Sequence, residues 1–182
     1  MIEYSDDIKE DVIYDVAKKM VAAAVTAPKA SGKDKVVAAI VCGKEKDNIV
    51  KKMKSLCKEY DEPFIGRDAI CLETHEYAVL IGIRSTPFGL NNCSMCGFKN
   101  CTEMTKADGN CALNITDLGI AIGSAVSIAA DNRIDNRVMY SIGKAVSQMD
   151  VFPGDVRVCY GIPLSVSSKS PFFDRGAGSV LL

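Results

Sequence analysis

Apolar residues return at three- and four-residue steps in some stretches of this chain and run unbroken in others. Ile8, Val12, Val16, Met20 and the pair Ala23 and Ala24 trace one face of a helix. Asp7 with Glu10 three residues on predicts a capping box at its start. Pro28 predicts its end near Thr26, because the residue before a proline avoids helical geometry. APKASGKDK, 27–35, reads as a small basic loop, and the apolar run VVAAIVC, 36–42, predicts a strand buried on both faces. Ile49, Val50, Met53, Leu56, Cys57 and Tyr60 predict a second amphipathic helix, closed by a turn around Pro63. DAICL, 68–72, and YAVLIGI, 77–83, predict two more strands.

After a polar stretch, Thr116 and Asp117 are N-cap candidates for a third helix over 117–131. Its Gly119, Gly123 and Ser127 lie four apart, so a second subunit or another helix of the chain could approach closely there. A fourth helix is predicted over 134–149, and VRVCYGIPLSV, 156–166, predicts a last strand interrupted at 161–163. This order predicts an α/β or α+β sandwich: a central mixed sheet with helices on both faces, forming a single domain over 1–182.

Composition narrows the function. With 22 basic and 23 acidic residues the net charge is −1, so no field exists to gather nucleic acid or an anionic membrane. The acidic start MIEYSDDIKEDV lacks the basic and apolar regions of a secretion signal. Apolar runs such as YAVLIGI fall short of the roughly 20 residues that span a bilayer. A soluble cytoplasmic protein with neither nucleic-acid nor membrane partner is therefore expected.

In a reducing compartment clustered cysteines bind metal or do redox work more often than they form disulfides. Cys42, Cys57, Cys71 and Cys159 sit inside apolar patterns and read as small core residues. The other four of the eight lie in NNCSMCGFKNCTEMTKADGNC, spaced Cys93-x2-Cys96-x4-Cys101-x9-Cys111. Burial as hydrophobes explains little in so polar a segment. A C-x2-C step lets two thiolates converge on one metal or on neighbouring irons. Gly97 permits a tight ligand loop and frees N–H groups to face sulfide, Phe98 could screen the site, and Cys111 precedes a helix start that favours a thiolate. Structural zinc usually takes two close pairs, which the nine-residue gap disfavours. A thiol–disulfide motif needs only two cysteines, and an unligated group remains a third alternative. The preferred reading is an iron–sulfur cluster, of the [4Fe–4S] type.

CSMCGFKNCTEMTKADGNC resembles the C-x2-C-G-x3-C…C iron–sulfur domain of membrane electron-transport complexes and of a corrinoid-protein subunit in the acetyl-CoA pathway. The last gap is shorter here, and no proline follows Cys111. Residues 91–112 form this iron–sulfur-type segment, and the whole chain is similar to an uncharacterised prokaryotic family described as containing a ferredoxin domain. The frame resembles the nitroreductase-like flavoproteins in three places: AVTAPKASGKDKV before the first strand, DLGIAIGSAVSIAA after an Asp, and YGIP followed by Arg175. That resemblance implies an FMN site with Lys29, Ser31, Lys33 and Arg175 near the phosphate, and an intertwined homodimer. The N-terminal Arg/Ser phosphate motif of those proteins is missing.

His75, the single histidine, reads as an exposed turn residue, and Arg84, Arg133 and Arg137 as surface or capping residues. The expectation is thus a redox protein whose Cys93, Cys96, Cys101 and Cys111 hold a [4Fe–4S] cluster and exchange electrons with a flavin or a partner protein. The alternatives are a non-enzymatic domain with structural zinc serving as an interaction surface, and a flavin- or ligand-binding protein with unligated cysteines.

Overall fold

Alternation along one strand divides the molecule into layers. In the computed structural model, which describes residues 1–173, that strand is β2 (Ala78–Arg84). Its Val79, Ile81 and Ile83 face one apolar layer, and Ala78 and Leu80 face the other. It pairs with β1 (Val36–Val41) and with β4 (Val156–Ser165), whose end carries the two-residue β3 (Asp135–Asn136). The sheet order is β1-β2-β4-β3. Every pairing among the described strands is antiparallel, where a mixed sheet was expected. β1 stands at an edge and is only partly buried over its middle four residues, so it is not the doubly covered strand its apolar run predicts. β4 runs unbroken through Gly161 and Pro163.

Helices cover both faces, as the sandwich reading predicts. On one side α1 (Ser5–Thr26) packs on α5 (Ala112–Asp131), and both on the sheet, around Val16, Met20, Leu118, Ala121 and Ala125. On the other lie α2 (Gly43–Tyr60), α3 (Pro63–Glu73) and α6 (Tyr140–Val146), around Ile49, Met53, Leu56, Leu72 and Ile142. The short α4 (Cys101–Lys106) belongs to the cysteine segment.

Several expectations are corrected. The buried stripe of α1 is Ile13, Val16, Ala17, Met20 and Ala24, while Ile8 and Val12 are 43% and 45% exposed. Its first turn is capped by the Asp7 carboxylate accepting the Tyr4 N–H at 3.2 Å, not by Asp7 with Glu10. DAICL is helical: Pro63 opens α3 at a position that has no use for an N–H, and Ile65, Ala69 and Leu72 bury at steps of four and three. Asp68 shares that stripe and accepts the Ser141 hydroxyl at 2.6 Å.

The helix predicted over 134–149 shrinks to α6. Arg133 takes φ of +60°, and the Ile134 N–H turns back to the Ala129 carbonyl at 2.9 Å, which closes α5. The next residues then pair with β4 as β3, and Met139 bridges to Gly161. α5 begins at Ala112 rather than 117. By length and composition it is the one described helix long and apolar enough to cross a membrane. Here it is a core helix lying against α1 and β2.

Of the four cysteines read as core residues only Cys159 is buried. Cys57 and Cys71 are half-buried, and Cys42 is exposed at the start of α2.

Candidate functional site

The cysteine segment leaves the sheet where β2 ends and rejoins the fold at the N-terminus of α5. It is short of regular structure and is braced by local bonds. The Cys101 N–H reaches back to the Leu90 carbonyl at 3.3 Å. Asn100 caps α4 by accepting the Glu103 N–H at 2.9 Å. Between Cys93 and Cys96 the chain turns tightly, with Ser94 at φ +53° and the Gly97 N–H on the Ser94 carbonyl at 3.0 Å. Gly97 itself sits at φ +83°, the left-handed geometry glycine accepts freely. Asp108, also left-handed, is bound by Arg157 of β4, which ties the segment to the sheet.

This path brings all four cysteines to the wall of one small cavity. Cys93, Cys96 and Cys101 are half-buried, and Cys111, the N-cap residue of α5, is buried. Phe88, Leu90, Met95 and Met104 supply the apolar part of the lining. Phe98, expected to screen the site, packs against Gly109 instead. Among the described residues no three His, Cys, Asp or Glu side chains are gathered closely enough to hold a single metal ion. Four thiols around one cavity, with apolar shielding and a glycine turn beside them, fit a thiolate-ligated iron–sulfur cluster in donor chemistry.

Lys35 is a member of this neighbourhood that pattern reasoning missed. It stands just before β1 and is buried, with its ammonium hydrogen-bonded to the Thr86 carbonyl and, at 3.2 Å, to the Asn114 Oδ1. The same ammonium lies 3.6 Å from the centre of the Phe88 ring. Asn114 holds that loop in turn, donating to the Thr86 carbonyl at 3.0 Å and the Arg84 carbonyl at 3.3 Å. Burial pushes the Lys35 ammonium below the usual lysine range, an effect opposed first by the charge of Cys111 and then by Asp117 and Cys101. The sequence places Lys35 at the end of a small basic loop; the burial of the lysine becomes visible in three dimensions.

Of the residues implied as phosphate contacts, Lys29, Ser31 and Lys33 lie on the one loop between α1 and β1. Lys29 donates to the carbonyls of Ala24 at 3.1 Å, Ala27 at 2.9 Å and Val25, so its charge neutralises the C-terminal end of α1. Ser31 is exposed at φ +55° in a short 3-10 turn, and Lys33 is exposed 5.9 Å from the Phe88 ring. Arg175 lies outside the described residues. The loop is pinned to α5 by Asp117, buried, whose Oδ1 accepts the Ala30 N–H at 3.0 Å and whose Oδ2 has no partner.

His75 is half-buried and tilted at 48° against Phe172 with ring centres 4.7 Å apart, and its Nδ1 meets the Cys71 carbonyl at 2.7 Å. Arg84 donates from Nη1 to both Asp155 carboxylate oxygens at 2.6 and 2.8 Å, and Arg137 donates to the Phe172 carbonyl at 2.9 Å.

Comparison with solved structures defines the class: the fold is that of the nitroreductases. The FMN-dependent nitroreductase NfnB of Mycobacterium smegmatis, in complex with NADPH, superposes with a TM-score of 0.60 at 9% identity, over 85% of this chain and 78% of that one. A nitroreductase family protein of Clostridium novyi gives 0.57 at 15% identity, over 86% and 75%. Along 96% of its length the chain is 38% identical to an uncharacterised protein of Archaeoglobus fulgidus, 98% of which is covered. Residues 107–175 match the family described as uncharacterised proteins containing a ferredoxin domain, and the chain belongs to that family. The matched span contains Cys111 and begins after Cys93, Cys96 and Cys101. A ferredoxin-domain family carried on a nitroreductase fold points to a redox role.

Proposed function

We propose that this protein is a cytoplasmic, single-domain electron-transfer protein whose Cys93, Cys96, Cys101 and Cys111 hold a [4Fe–4S] cluster on a nitroreductase-like frame. The observation that carries the reading is the single cavity lined by all four cysteines of the segment. Bound there, the cluster supplies one-electron chemistry at a potential set by its surroundings.

The chain's own residues do the rest. The four thiolates bind, and the tight turn at Ser94–Gly97 sets Cys93 against Cys96. Cys111, the N-cap residue of α5, brings its sulfur to the cavity from the helix side. Phe88 and the buried Met104 limit access of water from the protein side, which protects the ligand bonds and lowers the local dielectric. Electrons would pass to or from a flavin or a redox partner protein. For FMN, Ser31, Lys33 and Arg175 remain the candidate phosphate contacts, while Lys29 is engaged with α1. A homodimer is part of the proposal, because Gly119 and Gly123 stand open to solvent with no atom of their own chain near.

The test is to change each of the four cysteines singly to serine and purify anaerobically. Iron and acid-labile sulfide should fall to background for Cys101→Ser and Cys111→Ser while far-ultraviolet circular dichroism is kept. Iron content untouched in all four variants would refute the ligand assignment. Released FMN in a yellow preparation would establish the flavin half separately.

A further inference from the structure

Among the described residues Lys29, Lys35 and Lys46 have nearly buried side chains, and two of them have a carboxylate at hand. Lys29 lies 3.7 Å from Asp34, and Lys46 lies 3.7 Å from Asp47 and 4.0 Å from Glu76. Lys35 differs. It is 8% exposed, and among the described residues no carboxylate comes within 4.0 Å of its ammonium. Its contacts are neutral: the Thr86 carbonyl, the Asn114 side-chain oxygen and the Phe88 ring. A buried charge held only by neutral groups carries an uncompensated desolvation cost.

The negative groups that act on Lys35 are Cys111, Asp117 and Cys101, and Lys33 opposes them. Asp117 spends one oxygen on the Ala30 N–H and lies beyond ion-pair distance of Lys35. The other two groups are sulfurs of the cysteine cavity, and Phe88, on which the ammonium rests, lines the same cavity. Phe88 thus sets the Lys35 ammonium beside that cavity.

We infer that Lys35 is the built-in counter-charge of the thiolate-bound group in the cysteine cavity, placed to favour its reduced state; this rests on the cluster reading proposed above. Four thiolates outweigh the positive charge of a [4Fe–4S] core, so the bound group is anionic, and a one-electron reduction adds one more negative charge. The electron comes from a reduced flavin, a partner protein or, in the experiment, dithionite. Lys35 gives up no proton and forms no bond in this step. A fixed ammonium in a low-dielectric wall stabilises the reduced state more than the oxidised one, so it raises the reduction potential.

The experiment is an anaerobic redox titration of full-length protein followed by electron paramagnetic resonance, comparing wild type with Lys35→Met and Lys35→Arg. Iron and sulfide per chain should match in all three. Lys35→Met should lower the equilibrium constant for reduction about tenfold, a midpoint shift of about 59 mV to more negative potential for one electron, and Lys35→Arg should restore it. An equal midpoint in Lys35→Met and wild type overturns the inference and leaves the cluster reading standing. Wild type without iron and sulfide overturns both. Should Lys35→Met load poorly, recovery of iron in Lys35→Arg supports the counter-charge role, and failure to recover it overturns that role.

Discussion

Gly143 of α6 lies directly against the backbone of Cys159 in β4. The Cys159 thiol donates to the Gly143 carbonyl at 3.3 Å, and a Cβ on Gly143 would fall 1.8 Å from the Cys159 carbonyl oxygen. No rotamer relieves a clash with a backbone atom, so helix and strand must move apart. Gly143→Ala should destabilise by about 3 kcal/mol, read as a lower urea midpoint at unchanged slope. An unshifted midpoint would mean that α6 does not press on β4 this closely.

The same thiol makes stability depend on pH. Burial pushes Cys159 up from 9.0 to about 11. The unfolded chain then loses its proton first as pH rises, so the contribution is whole below pH 9 and declines toward pH 11. The slope is about 1.4 kcal/mol per pH unit. Subtracting the pH profile of Cys159→Ala from that of wild type, measured by urea unfolding, should leave this decline. A flat difference would contradict it.

How much of this was legible depends on how far the deciding contact lies along the chain. β2, β4 and the body of α2 follow from runs and periods of their own residues. DAICL was misread because five residues are too few to separate a period of two from one of 3.6. Widening the window to Pro63 and Ile65 adds the helix-opening proline and the buried step that decide it. The left-handed turn at Arg133 that ends α5 and frees β3 carries no glycine to announce it. In the site, the four cysteines were legible from spacing. Lys35 was not, because its hydrogen-bond partners Thr86 and Asn114 lie 51 and 79 residues away.

The brace of the cysteine segment can be weakened without touching a sulfur. Asn100→Ala removes the acceptor for the Glu103 N–H at the start of α4. A cost of about 1 kcal/mol is expected, confined to the segment. Hydrogen exchange should quicken at Glu103 and Met104 while the amides of β2 and β4 keep their protection. Uniform loss of protection would show that the segment and the sheet unfold as one unit.

The open face of α5 bears on the proposed homodimer. A Cβ at Gly119 or Gly123 would meet nothing within 4 Å in its own chain. Gly123→Leu should therefore leave the subunit folded, yet push sedimentation from dimer toward monomer if this face is the contact. A variant as dimeric as wild type would place the interface elsewhere, and a monomeric wild type would remove the dimer from the account.

The central claim is that Cys93, Cys96, Cys101 and Cys111 share one polynuclear group. The most direct measurement is iron, acid-labile sulfide and zinc per chain in anaerobically purified wild-type protein, with the visible spectrum before and after dithionite. The account predicts a brown protein with about four irons and about four sulfides per chain, as expected of a [4Fe–4S] centre, and absorption that bleaches on reduction. A colourless protein with one zinc per chain, or with no metal at all, would contradict it.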